Sequence, residues 1–322
     1  MNAAPGRPLR QPGASRVLAL FLVCILTGCA SIPPEVRDYG AGAVPVALPG
    51  TPFYPQQRFQ CGPAALMTIL AASGVQADLD DLTGRVYLQG IEGSLQAELI
   101  AQTRAAGRMP YRIDGRLSAL VAELGAGRPV LVLQNLGVAW WPRWHYAVVV
   151  GVDSERDEIV LRSGTERRRI TATRVFLNTW RRSGYWGFVA LKPGELPANP
   201  DDGRYFASLS ALEETGHRDA AWRGWQAAAA RWPASRVALF GLANSEFLRD
   251  DWRAAERAYR QVLELDPALA MARNNLALSL LRQDRHAAAR REAQQALALA
   301  AGDSTLENEI AATLAEIDAA AQ

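Results

Sequence analysis

Two side chains in this 322-residue chain have the types needed for nucleophilic attack on a carbonyl carbon, and both types are scarce. The sequence holds three cysteines (Cys24, Cys29 and Cys61) and three histidines (His145, His217 and His286). Cys61 opens the run Cys61-Gly62-Pro63-Ala64-Ala65-Leu66, and apolar helix formers continue to Ala72 with Gly74 as the stop, so a buried helix is expected there. Pro63 suits a first turn, where its missing N–H costs nothing. A thiol at that position meets unpaired backbone N–H groups and the positive end of the helix dipole, which favour the thiolate, the form that attacks. Gln60, the preceding residue, could offer its side-chain amide to an oxyanion developing on the attacked carbonyl.

Such a nucleophile needs a base. His217 and His286 fall in a later, compositionally different region, which leaves His145 as the histidine in the thiol's own half. His145 opens Tyr146-Ala147-Val148-Val149-Val150-Gly151-Val152, a continuous β-branched run expected to be a central strand. The turn 153–157 and the run Glu158 to Arg162 complete a hairpin, and further strands are expected at Pro129 to Leu133 and Tyr185 to Leu191. A strand end set beside a helix N-terminus is how a Cys-His pair would be assembled from distant residues. The run Trp140-Trp141-Pro142-Arg143-Trp144, just before the histidine, either lines a substrate subsite or forms a packed surface loop.

The flanking segments set the compartment. Arg7, Arg10 and Arg16 precede an apolar run from Val17 to Leu26, too short to span a bilayer comfortably but right for a secretory signal. Its end, Leu26-Thr27-Gly28-Cys29, resembles the lipobox of bacterial lipoproteins, which implies cleavage before Cys29 and lipidation of that cysteine. The alternative is an ordinary signal with an incidental cysteine. Ala30 follows, with no aspartate to suggest retention at the inner membrane, so the expected address is the periplasmic face of the outer membrane. Residues 30–52, rich in Pro, Ala and Gly, read as an extended tether between the signal (1–29) and a first domain at 53–191. A linker at 192–204, with three prolines and two glycines, separates that domain from residues 205–322.

The last region repeats itself. Pro233 and Pro267, Ala221, Ala255 and Ala289, Leu242 and Leu276, and Trp225 and Tyr259 each keep a spacing of 34, with Ala293 in the third copy. A small residue where paired helices touch, an aromatic four positions on and a closing proline resemble the tetratricopeptide repeat. An unrelated helical bundle is the alternative. The pattern implies about three repeats and a terminal helix near Ser304 to Ala319, with Ala301 where the third closing proline would stand.

In the first domain, Gln60-Cys61-Gly62-Pro63-Ala64-Ala65 at a helix start, Gly93-Ser94-Leu95 before a helix from Gln96 to Ala106, Arg128-Pro129-Val130-Leu131-Val132, and His145-Tyr146 opening a Val-rich hairpin resemble the papain-like cysteine peptidases that process bacteriocin double-glycine leaders. The resemblance covers roughly Phe53 to Gly164. It implies an α+β papain-like domain followed by an all-α repeat solenoid, with Cys61 as nucleophile, His145 as base and Gln60 as oxyanion donor. That family places an aspartate, followed by proline, near the end of the next strand to orient the histidine. Here the stretch is Leu161-Arg162-Ser163-Gly164-Thr165, with Ser163 nearest the expected place and Asp153, Glu166 and Asn178 as other candidates.

The formal net charge is +2 and no Lys/Arg block stands out, so nucleic acid is not an expected partner, and no cofactor is called for. Two functional classes follow. One is a membrane-anchored cysteine peptidase acting on a peptide or protein substrate, its repeats recruiting that substrate or a protein partner. The other is a catalytically inactive papain-like lipoprotein that works as a periplasmic adaptor through its repeats. Acyl transfer would use the same residues with a different acceptor.

Overall fold

The computed structural model describes residues 32–40, 44–56 and 60–321. The signal segment, Cys24, Cys29 and the pair Arg58-Phe59 lie outside the described residues. No helix among the described residues is long and apolar enough to cross a membrane.

The nine consecutive positions Gly62 to Leu70 are all buried in α2 (Cys61–Ala72), as a helix apolar all round must be. It follows a short α1 (Pro34–Arg37) and β1 (Val46–Ala47), and precedes α3 (Leu79–Val86) and α4 (Gln96–Ala105). The sheet is antiparallel, with strand order β2 (Met109–Arg112), β7 (Gly187–Leu191), β3 (Val130–Asn135), β4 (Trp144–Asp153), β5 (Glu158–Ser163) and β6 (Glu166–Ala172), and β1 pairs with β4. Because side chains alternate along a strand, the sheet has two apolar faces. Leu131, Leu133, Tyr146, Val148 and Phe188 face the core under α2, α3 and α4. Val132, Ala147, Val149 and Val189 face a second core with α5 (Leu117–Gly125) and α6 (Thr173–Arg181).

The expected strands and hairpin are present, and five elements appear that no periodicity announced: α3, α5, α6, β2 and β6. The segment read as an extended tether is different in kind. Val36 of α1 is buried, the Tyr39 hydroxyl donates to Asp157 at 2.7 Å, and Val46 pairs with Val152. Residues 32–40 thus lie against α5 and the β4–β5 turn, and 44–52 run beside β4, because their scattered apolar side chains join the core there.

The C-terminal region is helical and strictly periodic. Helices α7 (Asp202–Glu214), α9 (Arg236–Phe247), α11 (Ala270–Leu281) and α13 (Ser304–Ala320) start 34 residues apart, as do α8 (Arg218–Arg231), α10 (Trp252–Leu265) and α12 (His286–Leu299). Ala221, Ala255 and Ala289 are fully buried between paired helices, where a longer side chain would hold them apart. Pro233 and Pro267 follow the ends of α8 and α10.

The segment 192–204 is pinned rather than free. The Ala198 amide donates to Glu123 Oε1 at 2.8 Å, the Asp201 amide donates to the Tyr111 hydroxyl at 2.9 Å, and the Tyr205 hydroxyl donates to the Glu195 carbonyl at 2.9 Å. One apolar core runs from the sheet through Tyr205, Phe206 and Leu209 to Trp225 and Ala238.

Candidate active site

At the end of the sheet where β4 begins, a cavity of about 1280 Å³ is lined by Cys61, His145 and Tyr146, together with Gln56, Gly93 to Gln96, Pro142, Arg143, Trp144 and Arg182. Cys61 is the first residue of α2. It is a free cysteine, and the backbone N–H of Tyr146 is directed at its sulfur. The Tyr146 hydroxyl donates to the Ser94 carbonyl at 3.1 Å, and its ring meets Trp186 edge-on at 5.9 Å, which ties the start of this strand to the segment before α4 and to the start of β7.

Nε2 of His145 is hydrogen-bonded to Ser163 Oγ at 2.8 Å. Ser163 is almost fully buried at the end of β5, so this bond is shielded from water. The other candidate partners are engaged or placed elsewhere. Asp153 holds Arg156 at the far end of β4, Glu166 pairs with Arg169 on the surface, and Asn178 is half-buried on α6. With Nε2 taken by Ser163, Nδ1 is the ring nitrogen left for chemistry. Among the described residues no hydrogen bond joins His145 to Cys61. His145 falls in the same strand alternation as Ala147 and Val149, whereas α2 covers the other face, so it is at the strand's end that His145 and Cys61 come to line one cavity.

The electrostatics differ from the sequence-based expectation. Burial pushes the Cys61 thiol up, and the amides of Tyr146, Gly62 and Cys61 itself offset this only in part. Burial, reinforced by the positive charges of Arg169 and Arg143, pushes the His145 imidazole down to about 4. The helix terminus is present as expected, but desolvation outweighs it. The resting pair at neutral pH is a thiol and a neutral imidazole, not a thiolate and an imidazolium.

Gln60 sits at the N-cap of α2 with no side-chain cap hydrogen bond, and it is not among the residues lining the cavity. Gln56 is. Its backbone N–H donates to the Gly164 carbonyl and its Oε1 accepts from the Gly164 amide, both at 3.0 Å. This two-bond clamp leaves both N–H donors of Nε2 for the cavity. Gln56 was not legible in the sequence, since its clamp depends on a turn more than a hundred residues away.

The tryptophan run is neither packed nor wholly part of the cavity. Trp144 lines it at 54% exposure, while Trp140 and Trp141 stand out at 84% and 74%. Asn135, 2% exposed, holds this strap: its Oδ1 accepts from the amides of Gly137 and Arg143 at 2.9 Å each. A Cβ on Gly137 would lie 2.2 Å from the Trp141 carbonyl oxygen, so the strap closes only on glycine. Among the described residues no group of His, Cys, Asp and Glu side chains could hold a metal ion.

Gly62 is a second close approach, since a Cβ there would lie 2.5 Å from Ser94 Oγ. Gly62→Ala is expected to displace Ser94 from the cavity wall and to cost about 1–3 kcal/mol, the usual price of overpacking. A calorimetric melt coinciding with the wild type would refute the contact.

No family model matches the chain, and no curated protein does. Solved structures do. One is a C39-like peptidase from Bacillus anthracis. It is 15% identical, covers 46% of this chain and 98% of its own, and has a TM-score of 0.39. The type III secretion chaperone SycD from Yersinia enterocolitica, in complex with a peptide of the translocator YopD, is 16% identical, covers 37% of this chain and 94% of its own, and has a TM-score of 0.35. PcrH from Pseudomonas aeruginosa is 18% identical over 36% of this chain and 91% of its own, also with a TM-score of 0.35.

Proposed function

We propose that the protein is a cysteine peptidase of the bacteriocin-processing, papain-like type, anchored by lipid on Cys29 to the periplasmic face of the outer membrane. The signal is residues 1–29, the peptidase domain 53–191, and the tetratricopeptide-like region 205–322 recruits a protein substrate or partner. The observation that carries this reading is the meeting of Cys61, His145 and Gln56 in one cavity, with the second ring nitrogen of His145 already occupied by Ser163.

The chemistry runs from a neutral pair. It uses the tautomer in which Nε2–H donates to Ser163 Oγ and Nδ1 carries no proton, an arrangement that the 2.8 Å contact between the two atoms allows. As a peptide carbonyl enters, Nδ1 takes the Cys61 proton while Sγ bonds to the carbon. The oxyanion receives a hydrogen bond from Gln56 Nε2, the donor in place of Gln60. The C–N bond then breaks as the departing amine takes the proton from His145; His145 next deprotonates a water whose oxygen bonds to the thioester carbon, the C–S bond breaks, and Sγ takes that proton back. Apo catalytic hydrogen bonds are often long and tighten on substrate, in keeping with the open Cys61–His145 pair.

The adaptor reading draws on one observation, that the partner of His145 is a neutral hydroxyl and not a carboxylate. One experiment separates the two. The purified full chain is incubated with a complex peptide mixture, before and after alkylation with iodoacetamide, and new termini are read by mass spectrometry. New termini that vanish on alkylation are expected; none above background, or an equal number after alkylation, would leave only the adaptor.

A further inference from the structure

Two arginines line the cavity, and the backbone and side chain of one buried residue, Asn135, hold both of them. The Arg143 amide donates to Asn135 Oδ1 at 2.9 Å, and Arg182 donates from Nε and Nη2 to the Asn135 carbonyl at 3.1 and 2.9 Å. Arg182 keeps Nη1 free, and the Arg143 guanidinium has no hydrogen-bond or ion-pair partner among the described residues. A guanidinium fork left unpaired at a cavity wall is matched in shape and charge to a carboxylate. The other charged residue lining the cavity is Glu92, so the lining set holds two cations and one anion.

We infer that Arg143 and Arg182, held by Asn135, receive a carboxylate of the bound peptide, either an Asp or Glu side chain or the free C-terminus. The backbone of the strap at Arg143 is already hydrogen-bonded to Asn135, so the ordering that falls on binding is that of the Arg143 side chain. Trp144, next in the chain, offers its indole to an apolar neighbour of that carboxylate. The arrangement also has a consequence for His145, whose basicity Arg143 depresses. A carboxylate seated on Arg143 cancels that charge and strengthens the base, so the substrate supplies part of the negative charge that Ser163 lacks. The inference deepens the peptidase reading and rests on it for the fate of the peptide, but not for its binding.

The test uses the full chain carrying Cys61→Ala, equilibrated with a random N-acetylated octapeptide library made once as free acids and once as C-terminal amides. Retained peptides are identified by mass spectrometry. Carboxylate-bearing peptides are expected to be retained roughly tenfold over neutral ones, the scale of one charge-assisted hydrogen bond. The preference should fall to near parity when Arg143→Gln is added and survive in part with Arg143→Lys. A preference for Asp and Glu in both libraries assigns the side chain as the source, and one confined to the free acids assigns the C-terminus. No preference in either library, or a preference unchanged by Arg143→Gln, overturns the inference. Retained peptides that the wild-type chain does not cleave would leave the carboxylate site standing and remove the peptidase reading; cleavage without acidic preference would do the reverse.

Discussion

Replacing His145 by alanine is expected to lower peptide cleavage on the order of 10³-fold, and Cys61→Ala to abolish it. The loss should appear in kcat with little change in KM, because neither side chain holds the substrate apart from the reacting bond. Ser163→Ala should cost less, since it removes an orienting hydroxyl and leaves Nδ1 in place. Ser163→Asp should move His145 the other way, up from about 4, by placing a negative charge at Nε2. The pH dependence distinguishes these from general damage. His145 must be neutral to accept the thiol proton, so the acid limb of kcat/KM should lie near pH 4 in the wild type and shift upward in Ser163→Asp. The same depression bears on stability. The unfolded chain protonates this histidine near 6.5 and the folded one only near 4, so the unfolded state binds more protons between those values. Stability therefore falls as pH drops through that window, by up to about 3 kcal/mol. Urea midpoints at pH 7 and pH 4.5 should differ less in His145→Asn than in the wild type. Equal differences, or an acid limb near 6.5, would remove His145 from the role of buried neutral base.

The parts of this site that could be read from sequence are those written locally. Val148, Val149, Val150 and Val152 announce β4 because a strand buried on both faces must be apolar at every position. The repeats are legible for a similar reason: Ala221, Ala255 and Ala289 recur where helix pairs touch, and any larger side chain would break the spacing. β6 was invisible because Glu166-Arg167-Arg168-Arg169 lies on an exposed edge, where neither face has to be apolar. Gln56 and Asn135 act through backbone groups that the fold brings to them, and no pattern in their own neighbourhoods marks it. The charge state of the thiol failed for a related reason. A helix N-terminus can be recognised from Cys61-Gly62-Pro63, but the depth to which Tyr146 and its neighbours bury the sulfur is a property of the assembled sheet.

Tyr205→Ala is expected to cost about 3–5 kcal/mol, as large-to-small changes at fully buried aromatics do, and to lower the stability of the sheet together with that of the first repeat. Tyr205 is completely buried; its hydroxyl reaches the Glu195 carbonyl, and its ring lies 5.8 Å from Trp232. The core it belongs to contains Val132, Val149 and Trp180 from the sheet side and Trp225 and Ala228 from the repeats. A cavity opened there is felt on both sides of the 192–204 segment, because close-packed interiors transmit the loss to every neighbour. Melting followed by helical circular dichroism and by hydrogen exchange of the β3 and β4 amides should therefore show one transition, displaced equally in both signals. Leu276→Ala provides the contrast. Leu276 is also fully buried, but in the separate core of the later repeats, whose neighbours are other repeat helices. In a stacked repeat array the loss is shared mainly with nearest neighbours, so the dichroism should move while the exchange of the sheet amides stays close to the wild type. If Tyr205→Ala also shifts the dichroism alone, the shared core does not couple the two regions, and the repeats are an appendage whose binding events have no packed route to the cavity that holds Cys61.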